Sequence, residues 1–397
     1  MTTTQAAAAG TQNAGTAAAA AVGAIPFTVA TRPQGRYSAL QASVSNFSAA
    51  GSFQPIQLAA TGWVRWIELL FTATFTCASA AAVVAGDGPF NLVAGITLTD
   101  ATGQPVFQPI TGYNLYLVNK YLPSGNVNPV DAFTVPSNPM QGPEYAFAAS
   151  STSGNATFRL RLEFEQDART GYGCIPNLDS NASLQLKIDY AIYSVAFTGT
   201  TPSAATLSVR ASQHYYAPVG KTIGGSPANN MPIGAGDYVE TRFETQTVTA
   251  SAENLVSVTN RGGLLKGNLL VSRAAGVRTA ITAASNFGVV LDNTPIFEGI
   301  PIEEWYGIIR RGTGNQGTDL TTAYTPLSTL GVATGLDRGV VPVPWDIFNP
   351  VNRDSWLATR VGSLYQFKVT PGASATTLEI VTQLAQVRDA GAFYNRG

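Results

Sequence analysis

Apolar and polar residues alternate along most of the chain in short runs that predict β-strands. From Phe27 onward, runs rich in Val, Ile, Thr, Phe and Tyr are separated by clusters of Gly, Pro, Asn and Ser. In the clearest run, Trp63–Cys77, the odd positions are apolar apart from Arg65, and three threonines stand at the last even positions. A period of two places the odd set, including Phe71, in a core. Further strands are predicted at Phe158–Phe164, Leu184–Ala191, Leu207–Ala211, Leu364–Val369 and Leu378–Leu384.

Helical patterns are scarce, and the best one is Ile300–Arg311. It has a proline early, Glu303 and Glu304 in the first turn, and arginines at its end. That charge order suits the helix dipole, and Trp305 belongs to an apolar stripe. The sequence therefore predicts an all-β protein with short helices.

Segments of the first half recur in the same order in the second half. The distance between partners falls steadily along the chain, as differences in loop length would produce. This collinear duplication predicts two tandem β-sandwiches. The paired segments are Ile56–Leu58 with Val256–Val258, Gly62–Phe71 with Gly262–Val271, Ile96–Asp100 with Val289–Asp292, Pro105–Phe107 with Pro295–Phe297, Lys120 with Arg310, Leu186–Ile188 with Phe367–Val369, and Thr206–Leu207 with Thr377–Leu378.

Turn-rich and low-complexity stretches predict the domain limits. We expect an N-terminal arm at 1–25, a first sandwich at 26–216, a linker at 217–237, a second sandwich at 238–389 and a C-terminal arm at 390–397. The N-terminal arm is rich in Ala, Gly and Thr, so it is either disordered or helical on a partner. Two long loops, Leu122–Asn155 and Arg311–Gly339, occupy matching places in the two halves.

Composition limits the possible partners. Charged residues make up 12% of the 397 residues, which indicates surfaces covered by other subunits. The net charge is −1 and the first charged side chain after the N-terminus is Arg32, so we expect no direct contact with nucleic acid. Cys77 and Cys174 are too few for a disulfide framework or a zinc site and are predicted to be buried thiols. No charged leader precedes Thr16–Val22, so we expect cytoplasmic synthesis without processing.

Motifs that would carry chemistry are weak, and no catalytic, cofactor-binding or metal residues are predicted. His214 is the one histidine and has no nucleophile motif beside it, so a turn or interface role is expected. Gly312–Gly317 fits a dinucleotide fingerprint, but a helix precedes it. Gly220–Thr222 lacks the first glycine of a phosphate-binding loop.

Three alternating carboxylates are the remaining candidate for catalysis. Alternation puts Glu163, Glu165 and Asp167 on one strand face, a geometry that a glycosidase could use. Like charges beside Arg159, Arg161 and Arg169 are more often solvated or paired, here between subunits. We therefore expect no enzyme.

One stretch resembles a known family. Gly88-Pro-Phe-Asn-Leu-Val93, followed by Ile96, Asp100, Gly112, Leu115 and Leu117-Val-Asn119, is similar to the major capsid protein of tectiviruses, phages with an internal membrane. The resemblance implies a double jelly roll and a homotrimer with a pseudo-hexagonal outline. It also implies an icosahedral virion whose neighbouring capsomers, minor capsid proteins and vertex proteins are its partners.

The same resemblance assigns roles to the flanking segments. The two long loops would form an outward tower, the N-terminal arm would face the membrane, and the C-terminal arm would reach a neighbouring capsomer. The N-terminal arm departs from the family because it is neutral and Ala-rich, which leaves membrane contact open. A phage fibre or adhesin built from tandem sandwiches is the alternative function.

Overall fold

The computed structural model describes most of the region between residues 24 and 385. The described residues are 24–77, 82–100, 103, 105, 106, 108–122, 144, 145, 153–179, 183–199, 201–233, 239–279, 281, 286–313, 339–345, 356–360 and 362–385. Most of the N-terminal arm, nearly all of the two long loops and the C-terminal arm lie outside the described residues.

The first half contains fourteen described strands and two α-helices. Helix α1 spans Phe27–Ala30 and helix α2 spans Gly112–Tyr121, with short 3-10 turns at Phe90–Leu92 and Tyr193–Ala196. The strands are β1 (Pro33–Ser45), β2 (Gly51–Ser52), β3 (Ile56–Gln57), β4 (Gly62–Thr76), β5 (Ala82–Val84), β6 (Val93–Thr99), β7 (Glu144–Tyr145), β8 (Ser153–Glu163), β9 (Ile175–Asn177), β10 (Gln185–Tyr190), β11 (Phe197–Gly199), β12 (Ala204–Tyr216), β13 (Thr222–Ile223) and β14 (Ser226–Pro227).

The second half contains ten described strands and helix α3, which spans Ile302–Thr313. The strands are β15 (Val239–Thr247), β16 (Asn254–Ser257), β17 (Leu264–Ala274), β18 (Val277–Arg278), β19 (Asn286–Leu291), β20 (Thr294–Pro301), β21 (Val340–Pro344), β22 (Leu357–Ala358), β23 (Tyr365–Val369) and β24 (Thr377–Ala385).

The two halves have the same sheet topology. In the first half a large sheet runs β1-β12-β4-β8, and a small sheet pairs β10 with both β3 and β6. In the second half the large sheet runs β15-β24-β17 with β21 on the far side of β17, and the small sheet runs β16-β23-β19-β20. All the pairs in these sheets are antiparallel. This arrangement is a jelly roll, repeated once.

The collinear segments that lie in described strands occupy equivalent strands, so the duplication is confirmed. Two registers differ from the expected ones. In the small sheets Leu186 pairs with Leu98, whereas its counterpart Phe367 pairs with Val289, so Leu98 corresponds to Val289 and not to Leu291.

The second difference in register is in the large sheet. In β17 the pairing with β24 shifts between Leu265 and Gly267, which makes Lys266 an extra residue, a β-bulge. Phe71 is therefore equivalent to Leu270, which pairs with Ile380 as Phe71 pairs with Val209, and not to Val271.

The predicted inward face of β4 is confirmed. Its odd positions from Ile67 to Phe75 are buried, whereas Thr74 and Thr76 are exposed. The Phe71 ring stacks on Phe158 of β8 with centroids 5.0 Å apart. Side chains of both halves form one continuous hydrophobic cluster, so the two sandwiches pack against each other.

One predicted helix is confirmed and another was not anticipated. The expected helix at Ile300–Arg311 is α3, which begins at Ile302 because Pro301 still belongs to β20. Helix α2 has no solvent-exposed face, since all ten of its residues are buried. The described part of the chain thus confirms an all-β fold with short helices.

Replacing Phe71 by alanine should lower the free energy of unfolding by about 3–5 kcal/mol, because the cavity would lie between two sheets that cannot collapse onto it. The matched control is Phe243→Ala, since Phe243 is 49% exposed. Chemical denaturation of both variants measures the difference. Equal losses in the two variants would contradict the inward orientation of Phe71.

Candidate functional site

The two sandwiches contact each other through a surface that combines apolar packing with hydrogen bonds and ion pairs. We call it the seam; it consists of Gly112–Leu122 on one side and Gly267–Arg273 with Thr377–Gln383 on the other. Thr111 is the N-cap of helix α2: its side chain accepts a hydrogen bond from the Asn114 backbone N–H at 3.2 Å. On its first-sandwich side, the Asn119 amide exchanges two hydrogen bonds with the Arg161 backbone of β8, at 2.8 and 2.9 Å.

The second-sandwich side of the seam is the outer face of its large sheet. Alternation puts Gly267, Leu269, Val271 and Arg273 on that face, and the first three are buried. An outer sheet face made of apolar residues is stable only when it is shielded from water, and α2 packs over this one. The Asn114 side chain donates to the Glu379 carboxylate of β24 at 2.7 Å, which fixes the position of the helix on the sheet.

Four charged groups close one end of the seam. Arg273 donates to Asp87 at 2.6 Å and to Glu379 at 2.7 Å, and Arg278 donates to Asp87 at 2.9 Å. Both guanidinium groups lie over the Tyr113 ring, with 5.6 and 5.4 Å between Cζ and the ring centroid. Burial opposes ionisation of Arg273, but the two carboxylates outweigh it and raise the pKa of the guanidinium above its usual value.

A buried lysine closes the other end. Lys266, in the β17 bulge, is 1% exposed and donates from Nζ to the Leu122 carbonyl at the end of α2, at 2.9 Å. Beside it, a Cβ atom on Gly267 would lie 2.4 Å from Leu122 Cδ2. Glycine at this position lets the two sandwiches approach closely.

The three candidate carboxylates do not form a paired site. Strand β8 ends at Glu163, and the backbone N–H groups of Phe164 and Glu165 both donate to the Arg65 carbonyl, so alternation is broken. The prediction that they share one face is therefore wrong.

Each of these carboxylates instead has a basic partner within the chain. Glu163 lies 3.6 Å from Arg161, and Asp167 lies 3.3 Å from Arg169. Glu165 is bound by Arg65 at 2.7 Å and accepts from the Tyr216 hydroxyl at 2.8 Å. These contacts are intramolecular, whereas we expected solvation or pairing between subunits.

His214 lies within β12, so the expected turn position is wrong. Its ring stacks on Trp66 with centroids 4.7 Å apart, and the Ser212 hydroxyl is 3.5 Å from Nε2. Burial lowers the pKa of the imidazole; Glu68 opposes that shift, whereas Arg161 and Arg65 add to it. The position is on the outer face of the first large sheet.

The other candidate motifs lack the structure that their chemistry requires. Gly312 lies at the end of α3, so a helix precedes that motif, and its residues from 314 onward lie outside the described residues. Lys221 is exposed, and Thr222 begins a β13–β14 hairpin rather than a helix. Cys77 and Cys174 are free and buried, as predicted, and burial raises the pKa of both thiols.

Within the described part of the chain, no three His, Cys, Asp or Glu side chains are grouped closely enough to hold a metal ion. Within the same residues, no helix has the length and apolar character needed to cross a membrane.

Replacing Asp87 by asparagine should lower the free energy of unfolding by about 2–3 kcal/mol, because two largely buried guanidinium groups lose their shared counter-charge. The control is Glu253→Gln, since Glu253 and its partner Lys368 are 54% and 35% exposed and their pair is worth below about 1 kcal/mol. Chemical denaturation compares the two. Losses of the same small size would contradict a structural role for the charged end of the seam.

The single histidine allows a direct titration. With its pKa lowered in the folded state, the unfolded chain binds the proton more readily, so this group destabilises the fold as pH falls below its ordinary pKa of 6.5. Labelling histidine Cε1 with carbon-13 gives one resonance to follow by NMR. A titration midpoint at or above 6.5 would contradict the buried stacking on Trp66.

Comparisons with known proteins identify the fold. No family model matches the chain, and no curated protein matches it in sequence. The MCP of STIV is similar over 89% of this chain and 97% of its own, with 12% identity and a TM-score of 0.55. A chain of the atomic structure of Sulfolobus Turreted Icosahedral Virus is similar over 91% and 93%, with 13% identity and a TM-score of 0.56. The resemblance of the fold confirms the predicted double jelly roll.

Proposed function

We propose that the protein is the major capsid protein of an icosahedral virus and acts as a structural building block rather than an enzyme. The observation that carries the proposal is the duplicated jelly roll, in which a helix of one copy packs on the outer sheet face of the other. The proteins that share this fold are capsid components, which supports the same role here. The low proportion of charged residues, 12%, also favours a chain whose surface meets other subunits.

The building block is a homotrimer with a pseudo-hexagonal outline. The seam joins unlike surfaces, a helix and a sheet face, so it is a head-to-tail contact. Because both sandwiches have the same topology, the same kind of contact can be made again between chains. Three chains then close a ring of six sandwiches.

The remaining parts of the chain serve assembly. We infer a first sandwich at 26–216, a linker at 217–237 and a second sandwich at 238–389. The N-terminal arm at 1–25 would face an internal membrane where the virion has one, and the C-terminal arm at 390–397 would reach a neighbouring capsomer. Minor capsid and vertex proteins complete the set of partners, and nucleic acid is not contacted directly, since the arm carries no basic side chain before Arg32.

Multi-angle light scattering of the purified full chain should give three times the mass of 41.5 kDa. Electron micrographs of the trimer should show a pseudo-hexagonal outline. A strict monomer at high concentration would contradict the proposed function and would favour the fibre or adhesin alternative.

A further inference from the structure

We propose that helix α3 of one chain docks on the outer face of β4 and β12 in a second copy of this chain, chiefly through Glu304 and Arg210. The inference rests on the proposed trimeric building block and names the surface through which it closes. The seam within the chain is the template for this contact. Its helix, α2, is equivalent to α3, and its sheet face, on β17 and β24, is equivalent to the outer face of β4 and β12. The same chain leaves exposed residues on both α3 and that outer face.

The helix half of the contact follows from the equivalence of α2 and α3. Lys120 and Arg310 stand at the same distance from the phenylalanines of their paired segments, Phe107 and Phe297. Counting back from them, Tyr113 and Asn114, which contact the second sandwich, correspond to Glu303 and Glu304. Both glutamates are exposed, and among the described residues neither has an ion-pair partner.

The sheet half follows from the equivalence of β12 and β24. Thr206 and Thr377 match, so Ser208 is equivalent to Glu379 and Arg210 is equivalent to Val381. Glu379 is the residue that α2 binds through Asn114.

The two sheet faces differ in cover. Val381 is buried beneath the seam, whereas Arg210 is exposed on the open face of the first sandwich. Thr74 and Thr206 on that face are exposed as well, although their second-sandwich equivalents, Arg273 and Thr377, are partly covered. The first sandwich thus leaves open the surface that the second sandwich has covered.

The charges of the two open surfaces are complementary. The outer face of the first large sheet carries Arg159 and Arg161, which are paired with Glu68 within the chain. Arg210, on the same face, has no ion-pair partner among the described residues. In the seam Asn114 of the helix donates to Glu379 of the sheet. Between chains, Glu304 would accept from Ser208 and Arg210, so the polarity of this one contact is exchanged. A wrong pairing of α3 with an acidic surface is thereby disfavoured.

The test is a charge swap measured by analytical ultracentrifugation over a concentration series. Arg210→Glu and Glu304→Arg should each raise the concentration at which half of the chains are trimeric by about tenfold or more, since one pair is lost at every interface. The double variant should recover most of the affinity. Matched controls at exposed positions outside α3, β4 and β12 are Glu298→Arg and Arg360→Glu, which should leave the trimer unchanged. Thermal unfolding monitored by circular dichroism checks that each variant folds.

The outcomes separate the two proposals. A wild-type chain that is trimeric, with both single reversals also trimeric at the wild-type concentration, overturns this interface and leaves the proposed function standing. Weakened single variants without recovery in the double variant also overturn the pairing of Glu304 with Arg210. A monomeric wild-type chain overturns the proposed function and this interface together.

Discussion

A β-sheet has two faces, and the fold of this protein depends on how the second face of one sheet is covered. The inner face of each large sheet packs against its small sheet. In the second sandwich the outer face is also apolar, with Leu269, Val271 and Val381 buried, so it must be covered by something other than its own sandwich. Helix α2 provides that cover, and its insertion accounts for the complete burial of the helix, the glycine at 267 and the charged groups at both ends of the seam.

Much of the fold was predictable because most strands expose one face and bury the other. The alternation in β4 located Phe71 in the core, and the order of the paired segments showed the duplication. Helix α2 was not predictable from periodicity, since a helix buried on every side has no polar stripe to mark it. Helix α3 has the same place in its sandwich but leaves Glu303 and Glu304 exposed, which is why its pattern was visible.

The residues of the seam could not be found from local patterns. Asp87 and Arg273 are far apart in the chain, and nothing near either one indicates its partner. The available signal was a basic residue within an apolar strand, as at Lys266 and Arg273, in a chain with few charges. At Glu163 and Glu165 a local pattern gave a wrong prediction. The sequence alternates there, but successive side chains do not point to alternate faces, because the N–H groups of Phe164 and Glu165 both donate to the Arg65 carbonyl.

The seam therefore has a double significance: it holds the two sandwiches together and it offers a pattern that a neighbouring chain can repeat. We propose that one type of contact, a helix packed on an outer sheet face, operates both within and between chains. An electron cryo-microscopy map of the assembled oligomer at side-chain resolution would show whether it does. We expect a ring of six sandwiches in which α3 lies over β4 and β12 of the next chain. A ring in which those strands face solvent, or in which α3 contacts any other surface, would contradict it.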